Sequence, residues 1–135
     1  MAKLSNIAVD PDLEVHGVWV SWFDNARVKV ARHNNPRFVK RVRELVLERR
    51  LQQGKKEMSD DEFEDLTRRA VADTIAIDWE NIEDEETGQP VAYTSDLGYK
   101  LFCQPEYRDF YRLVIEASMR FELFRKERII EAVGN

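Results

Sequence analysis

Three helix-start signals spaced along this 135-residue chain commit most of it to helices. Asn34-Asn35-Pro36 puts a capping side chain ahead of a proline whose missing N–H costs nothing in a first turn. A helix is therefore expected from Pro36 until Gly54 ends it, with Phe38, Val42, Leu45 and Val46 on its inner face. Ser59-Asp60-Asp61-Glu62 has the serine-to-glutamate spacing of a capping box and acids suited to the helix dipole. Phe63, Leu66, Ala70, Thr74 and Ile77 then share a face, so the second helix is predicted over about 60 to 77. Thr94, Ser95 and Asp96 offer caps for a short third helix carrying Leu97, Leu101 and Phe102, which stops before Pro105. A fourth helix starts at Pro105, and its pattern runs to Val133.

Between the start of order near Leu13 and the first cap, the periodicity is two rather than 3.6. Val18, Val20 and Trp22 alternate with Trp19, Ser21 and Phe23, and Val28 and Val30 with Arg27 and Lys29. Asp24-Asn25 supplies the turn, which predicts a β-hairpin at roughly 15 to 32. Trp19 and Trp22 fall on opposite faces of that hairpin, so with one side covered at most one is core, and the other is either a partner-site candidate or buried at an edge under the N-terminal arm. Residues 1–12 show no periodicity and read as a flexible arm, while 78–93 turn acidic around Gly88 and Pro90 and read as a loop or small hairpin. The expectation is a single mainly α (α+β) domain over 1–135: arm 1–12, hairpin 13–32, and a helical part 36–133 of about four helices.

Charge is distributed unevenly behind a net value of −5. Residues 36–56 hold eight basic side chains against two acidic, and residues 57–90 hold thirteen acidic against two basic. Net acidity argues against a broad phosphate-neutralising surface, so nucleic acid is not the expected partner. The basic residues of 36–53 surround a polar arc, and a solvated face, or one answering the acidic loop of the same chain, is the simpler reading. No apolar stretch approaches the ~20 residues of a membrane span, and MAKLSNIAV lacks a signal peptide's apolar segment, so a soluble intracellular protein is expected.

Catalytic patterns are weak throughout. Glu83-Asp84-Glu85-Glu86 lacks the alternating ligands and mid-loop glycine of a calcium loop and reads as solvated. Cys103, the single cysteine, sits among Leu101, Phe102 and Pro105, where a buried, inert thiol is expected rather than a nucleophile served by His16 or His33. With no glycine-rich phosphate loop, nucleophile elbow or zinc spacing, the expectation is no enzyme, no cofactor and no metal.

The last helix carries more apolar surface than one core-facing stripe needs. Tyr107, Phe110, Tyr111, Val114, Ser118, Phe121 and Ile129 cluster on one side, and Met119, Leu123 and Ile130 form a second stripe roughly 140° away. Met119, Leu123 and Ile130, with Phe124 and Trp19, are the candidate partner-binding residues; another helix of the same chain, a second copy in a homo-oligomer and a different protein are all compatible with the second stripe.

The order of residues in 78–110 adds a resemblance. Trp79, a turn containing Gly88 and Pro90, Tyr93 with the cap Thr94, then Leu101, Pro105 and Tyr107 follow one another as in the tail assembly chaperones of long-tailed bacteriophages, which this segment resembles. ARVKVARHNNPRF, residues 26–38, is similar to the strand, paired asparagines and proline that open the first helix in some members. Gln104, where an acidic residue often precedes the proline, and Gly98, inside the short helix, depart from the pattern. The resemblance implies a non-enzymatic chaperone in the bacterial host cytoplasm, absent from the mature virion, that binds the tape measure protein and tail tube subunits until the tube polymerises. A nucleic-acid-binding regulator using helix 36–53 and a minor tail or head-joining subunit are the alternatives.

Overall fold

The computed structural model describes residues 1–54 and 56–126. A 3-10 turn (Leu4–Ile7) leads into helix α1 (Pro11–His16), strands β1 (Val18–Ser21) and β2 (Arg27–Val30), helices α2 (Pro36–Gln53) and α3 (Asp60–Thr74), strand β3 (Ala76–Glu80), and helices α4 (Ser95–Phe102) and α5 (Arg108–Ser118). Further 3-10 turns span Pro105–Tyr107 and Phe121–Phe124. The fold is mainly α, with a small antiparallel sheet in the order β1-β2-β3.

Local chemistry sets the helix starts. Asn35 Oδ1 accepts from the Arg37 and Phe38 amides, while its Nδ2 donates to the Arg32 carbonyl at 2.7 Å. Ser59 Oγ accepts from the Glu62 amide, and the Thr94 hydroxyl from the Leu97 amide. Asp24 takes φ +49 in the β1–β2 turn, a conformation that asparagine and aspartate adopt more readily than most residues.

Four expectations are corrected. The second helix stops at Thr74 rather than 77, and the next residues form β3, which pairs with β2 through Val28↔Trp79 and Lys29↔Asp78. Pairing shifts by one between Lys29 and Val30, a bulge that brings Ala76 opposite Val30. The expected loop 78–93 thus contributes a strand before it turns, and only its tip, with a single bridge between Glu83 and Pro90, is the small hairpin. The arm 1–12 is not loose: Asp10 caps α1 through the Asp12 amide, its own amide donates to the Phe124 carbonyl at 2.7 Å, and the Lys126 amide donates to the Ala8 carbonyl.

The fourth correction concerns the last helix, which ends at Ser118. There the Ser118 carbonyl accepts from the His33 amide at 3.0 Å, and the chain folds back through its 3-10 turn to hold the arm. Met119 and Leu123 therefore do not share a stripe on that helix. The expected continuation beyond 126, Ile130 included, lies outside the described residues.

The core lies where sheet, α3, α4 and α5 meet. Phe110 is its aromatic centre, with the rings of Trp22, Phe102 and Trp79 at 5.3, 5.4 and 5.9 Å. Val28, Val30, Val71, Ile75 and Val114 are fully enclosed around it.

Candidate functional site

Of the side chains expected to bind a partner, the four among the described residues do not form one surface. Phe124 is completely buried and belongs to the core, because the fold-back after Ser118 turns it inward. Leu123 is half-buried. Met119 stands out at 57% exposure, next to Phe121 at 55%. Trp19 is half-buried on the sheet face away from Trp22, with the Arg27 guanidinium 4.5 Å from its ring centre and the Lys29 ammonium farther out. Arg27 in turn pairs with Glu80 across the β2–β3 ladder. Of the hairpin's two tryptophans, Trp22 is the one that packs against the core.

The residues carrying the resemblance form a brace. Trp79 is buried, and its Nε1 donates to the Val91 carbonyl at 2.6 Å. Tyr93 meets the Trp79 ring edge-on at 5.2 Å and donates its hydroxyl proton to the Ala72 carbonyl at 2.6 Å. Burial, with Asp73 nearby, pushes the Tyr93 hydroxyl well above the usual phenol range. The Tyr93 ring lies against Gly98 so closely that a Cβ there would sit 2.7 Å from Cε2. Gly88 holds φ +67 at the tip of the acidic turn, and Pro105 opens the 3-10 turn before α5. These residues position the loop against the core.

Polar candidates resolve into structural roles or exposure. In the acidic loop, Asp84 Oδ1 accepts from the Glu86 and Thr87 amides, and its carbonyl accepts from Gly88. Among the described residues there is no metal-holding cluster of histidine, cysteine and carboxylate groups. Cys103 is exposed rather than buried, with Sγ 3.8 Å from Asp65 Oδ1. The Tyr99 hydroxyl donates to the same oxygen at 2.6 Å, and that bond, aided by burial, raises the phenol above its ordinary range.

The basic segment is answered by α3, not by the acidic loop. Arg41 reaches Asp73 at 2.7 Å, and Arg49 reaches Glu62 at 3.2 Å and Asp65 at 3.8 Å. Burial is the largest single influence on the Glu62 carboxyl and raises it, but the hydrogen bonds from Ser59, Gln53 and Arg49 together outweigh it and hold the group below its ordinary value. Arg69 bridges Asp73 and Asp96, tying α3 to the start of α4. Arg37, Lys40, Arg43 and Arg50 point outward, and no ion pair involves them among the described residues.

Large apolar side chains are exposed at several places, Phe23 and Phe63 among them, and two groups have cations beside them. Leu47 (58%) and Leu51 (78%) lie on the outer side of α2. Ile7 and Phe121 line a shallow depression of about 270 Å³ with Val9, Arg32 and Arg125, the last stacked over the Phe121 ring at 4.6 Å. The sequence exposed neither group as such: the leucines were hidden among charges, and the depression depends on a long-range fold-back. Chemically, both are suited to protein contact, with apolar surface at the centre and cations at the edge.

A family model described as YdaY prophage protein matches residues 33–135. The matched span starts just before α2 and leaves β1 and β2 outside it. Neither the curated proteins nor the solved structures contain a match.

Proposed function

Because the chain belongs to the YdaY prophage protein family, and is thus phage- or prophage-encoded, we propose that it is a non-enzymatic tail assembly chaperone. In this reading it acts in the host cytoplasm, holds the tape measure protein and tail tube subunits soluble until the tube polymerises, and is absent from the finished particle. The observation that carries the reading is the pair of exposed apolar groups, Leu47/Leu51 on α2 and Ile7/Phe121 in the shallow depression. Such surface costs solubility unless a partner covers it, and a net charge of −5 keeps the waiting form dispersed. The order Trp79, Gly88, Pro90, Tyr93 and Pro105, which resembles that of tail assembly chaperones, supports the same role.

The test is co-expression with the protein encoded by the long open reading frame downstream of this gene, followed by pull-down in high salt. Recovery of a soluble complex is the expected result, since apolar burial survives salt that disperses phosphate contacts. An insoluble, unbound downstream product refutes the role. Presence of the protein in purified particles would instead make it a structural subunit.

A further inference from the structure

We propose that the outer face of α2 docks an acidic amphipathic helix, with Leu47 and Leu51 as its apolar seam and Lys40, Arg43 and Arg50 as its charged edge. The identity of that helix as part of the chaperoned protein rests on the reading above; the chemistry of the surface does not.

Helix α2 has 18 residues and buries only Phe38 completely. Val42 and Leu45 pack on the core, and Arg41 and Arg49 are tethered to the carboxylates of α3. At 3.6 residues per turn, Lys40, Arg43, Leu47, Arg50 and Leu51 then share an arc of about 100° on the opposite side. All five are exposed. The leucines stand four residues apart, so they stack one turn above the other, the spacing with which one helix presents a seam to another. Arg43 and Arg50, seven residues apart, flank that seam on one side, while Glu44 and Glu48 flank it on the other.

Charge complementarity selects the occupant. The three outward cations have no intramolecular partner among the described residues, so a helix bearing glutamate or aspartate beside its own apolar seam satisfies both features at once. Phosphates of a nucleic acid would pair with the cations but leave two leucines in water, and the net charge of −5 opposes a polyanion. A second copy could offer its acidic tip Glu83–Glu86, but the Thr87-Gly88-Gln89-Pro90 that follows supplies no apolar seam.

The test uses the full chain and two synthetic helical probes of about 20 residues, each with leucines at four-residue spacing, one flanked by glutamates and the other by lysines. Fluorescence anisotropy should show the glutamate probe binding about tenfold or more tightly than the lysine probe. K40E/R43E/R50E should reverse that preference, and L47Q/L51Q should weaken the glutamate probe about tenfold, with circular dichroism and Tm unchanged because these side chains are exposed. Equal affinity for the two probes, or no binding, overturns the proposal. So does tighter binding of duplex DNA that L47Q/L51Q leaves unaltered, or self-association that the variants abolish in place of probe binding. In the co-expression pull-down, capture of the downstream protein by wild type and both variants alike would overturn this surface while leaving the chaperone role standing. Failure of wild type to capture it removes that role and leaves the probes to decide the surface.

Discussion

Replacing Gly98 by alanine separates two opposite expectations. Glycine inside a helix is about 1 kcal/mol less favourable than alanine, so helix propensity alone predicts that G98A stabilises the protein. The structure predicts the reverse. Gly98 lies within α4 and is buried, and an added Cβ would stand 2.7 Å from Tyr93 Cε2 and 2.8 Å from Cζ. Tyr93 cannot retreat freely, since its hydroxyl is bonded to the Ala72 carbonyl and its ring rests on Trp79. Overpacking costs about 1–3 kcal/mol, and losing the hydrogen bond adds about 1 kcal/mol. Set against the propensity gain, G98A should destabilise by about 1–3 kcal/mol. Urea denaturation of wild type, G98A, Y93A and the double variant measures this. In the Y93A background the obstruction is gone, and G98A should become stabilising by about 0.5–1 kcal/mol. Stabilisation by G98A in the wild-type background would refute the packing of Tyr93 on α4.

Other consequences are independent of that pair. Phe124→Ala should cost about 3–5 kcal/mol in chemical denaturation, whereas Met119→Gln should change stability by less than about 0.5 kcal/mol, because the chain's fold-back buries one and exposes the other. Asn35→Ala removes a cap that serves two amides and a buried donor, and should cost about 2–4 kcal/mol; Asn35→Asp keeps the acceptor and should cost less. Burial raises the Tyr93 phenol above its unfolded value of about 10, so its stabilising contribution is complete below pH 10 and falls as pH rises toward the folded value. Unfolding free energy measured from pH 8 upward should therefore decline above about pH 10, with a shallower slope in Tyr93→Phe.

Where structure is decided within a few residues, the sequence was readable. The caps at Asn35, Ser59 and Thr94 each bond the amides their spacing foretells, and the Val–Trp alternation gives β1 and β2. Features decided by distant partners were not. Ile77 continues the apolar face of α3 and Asp78–Glu80 open an acidic stretch, so Ala76–Glu80 reads as a helix end followed by a loop until β2 offers its ladder. Nothing between Ala117 and Phe121 is a glycine or proline, yet α5 stops there, where the Ser118 carbonyl meets the His33 amide and the chain returns to pair with the arm. The candidate partner stripe was lost with that helix: Phe124 entered the core and Met119 alone of the described set stayed fully outside it. Leu47 and Leu51 are masked in the sequence because the three cations of their arc, Lys40, Arg43 and Arg50, make it look merely solvated.

The decisive measurement is the high-salt pull-down of the downstream open reading frame's product by the full chain, co-expressed with it and compared with L47Q/L51Q. A soluble complex with wild type that is lost or strongly reduced with L47Q/L51Q is the predicted result. A downstream product that remains insoluble and unbound beside correctly folded wild-type protein would contradict the chaperone role itself.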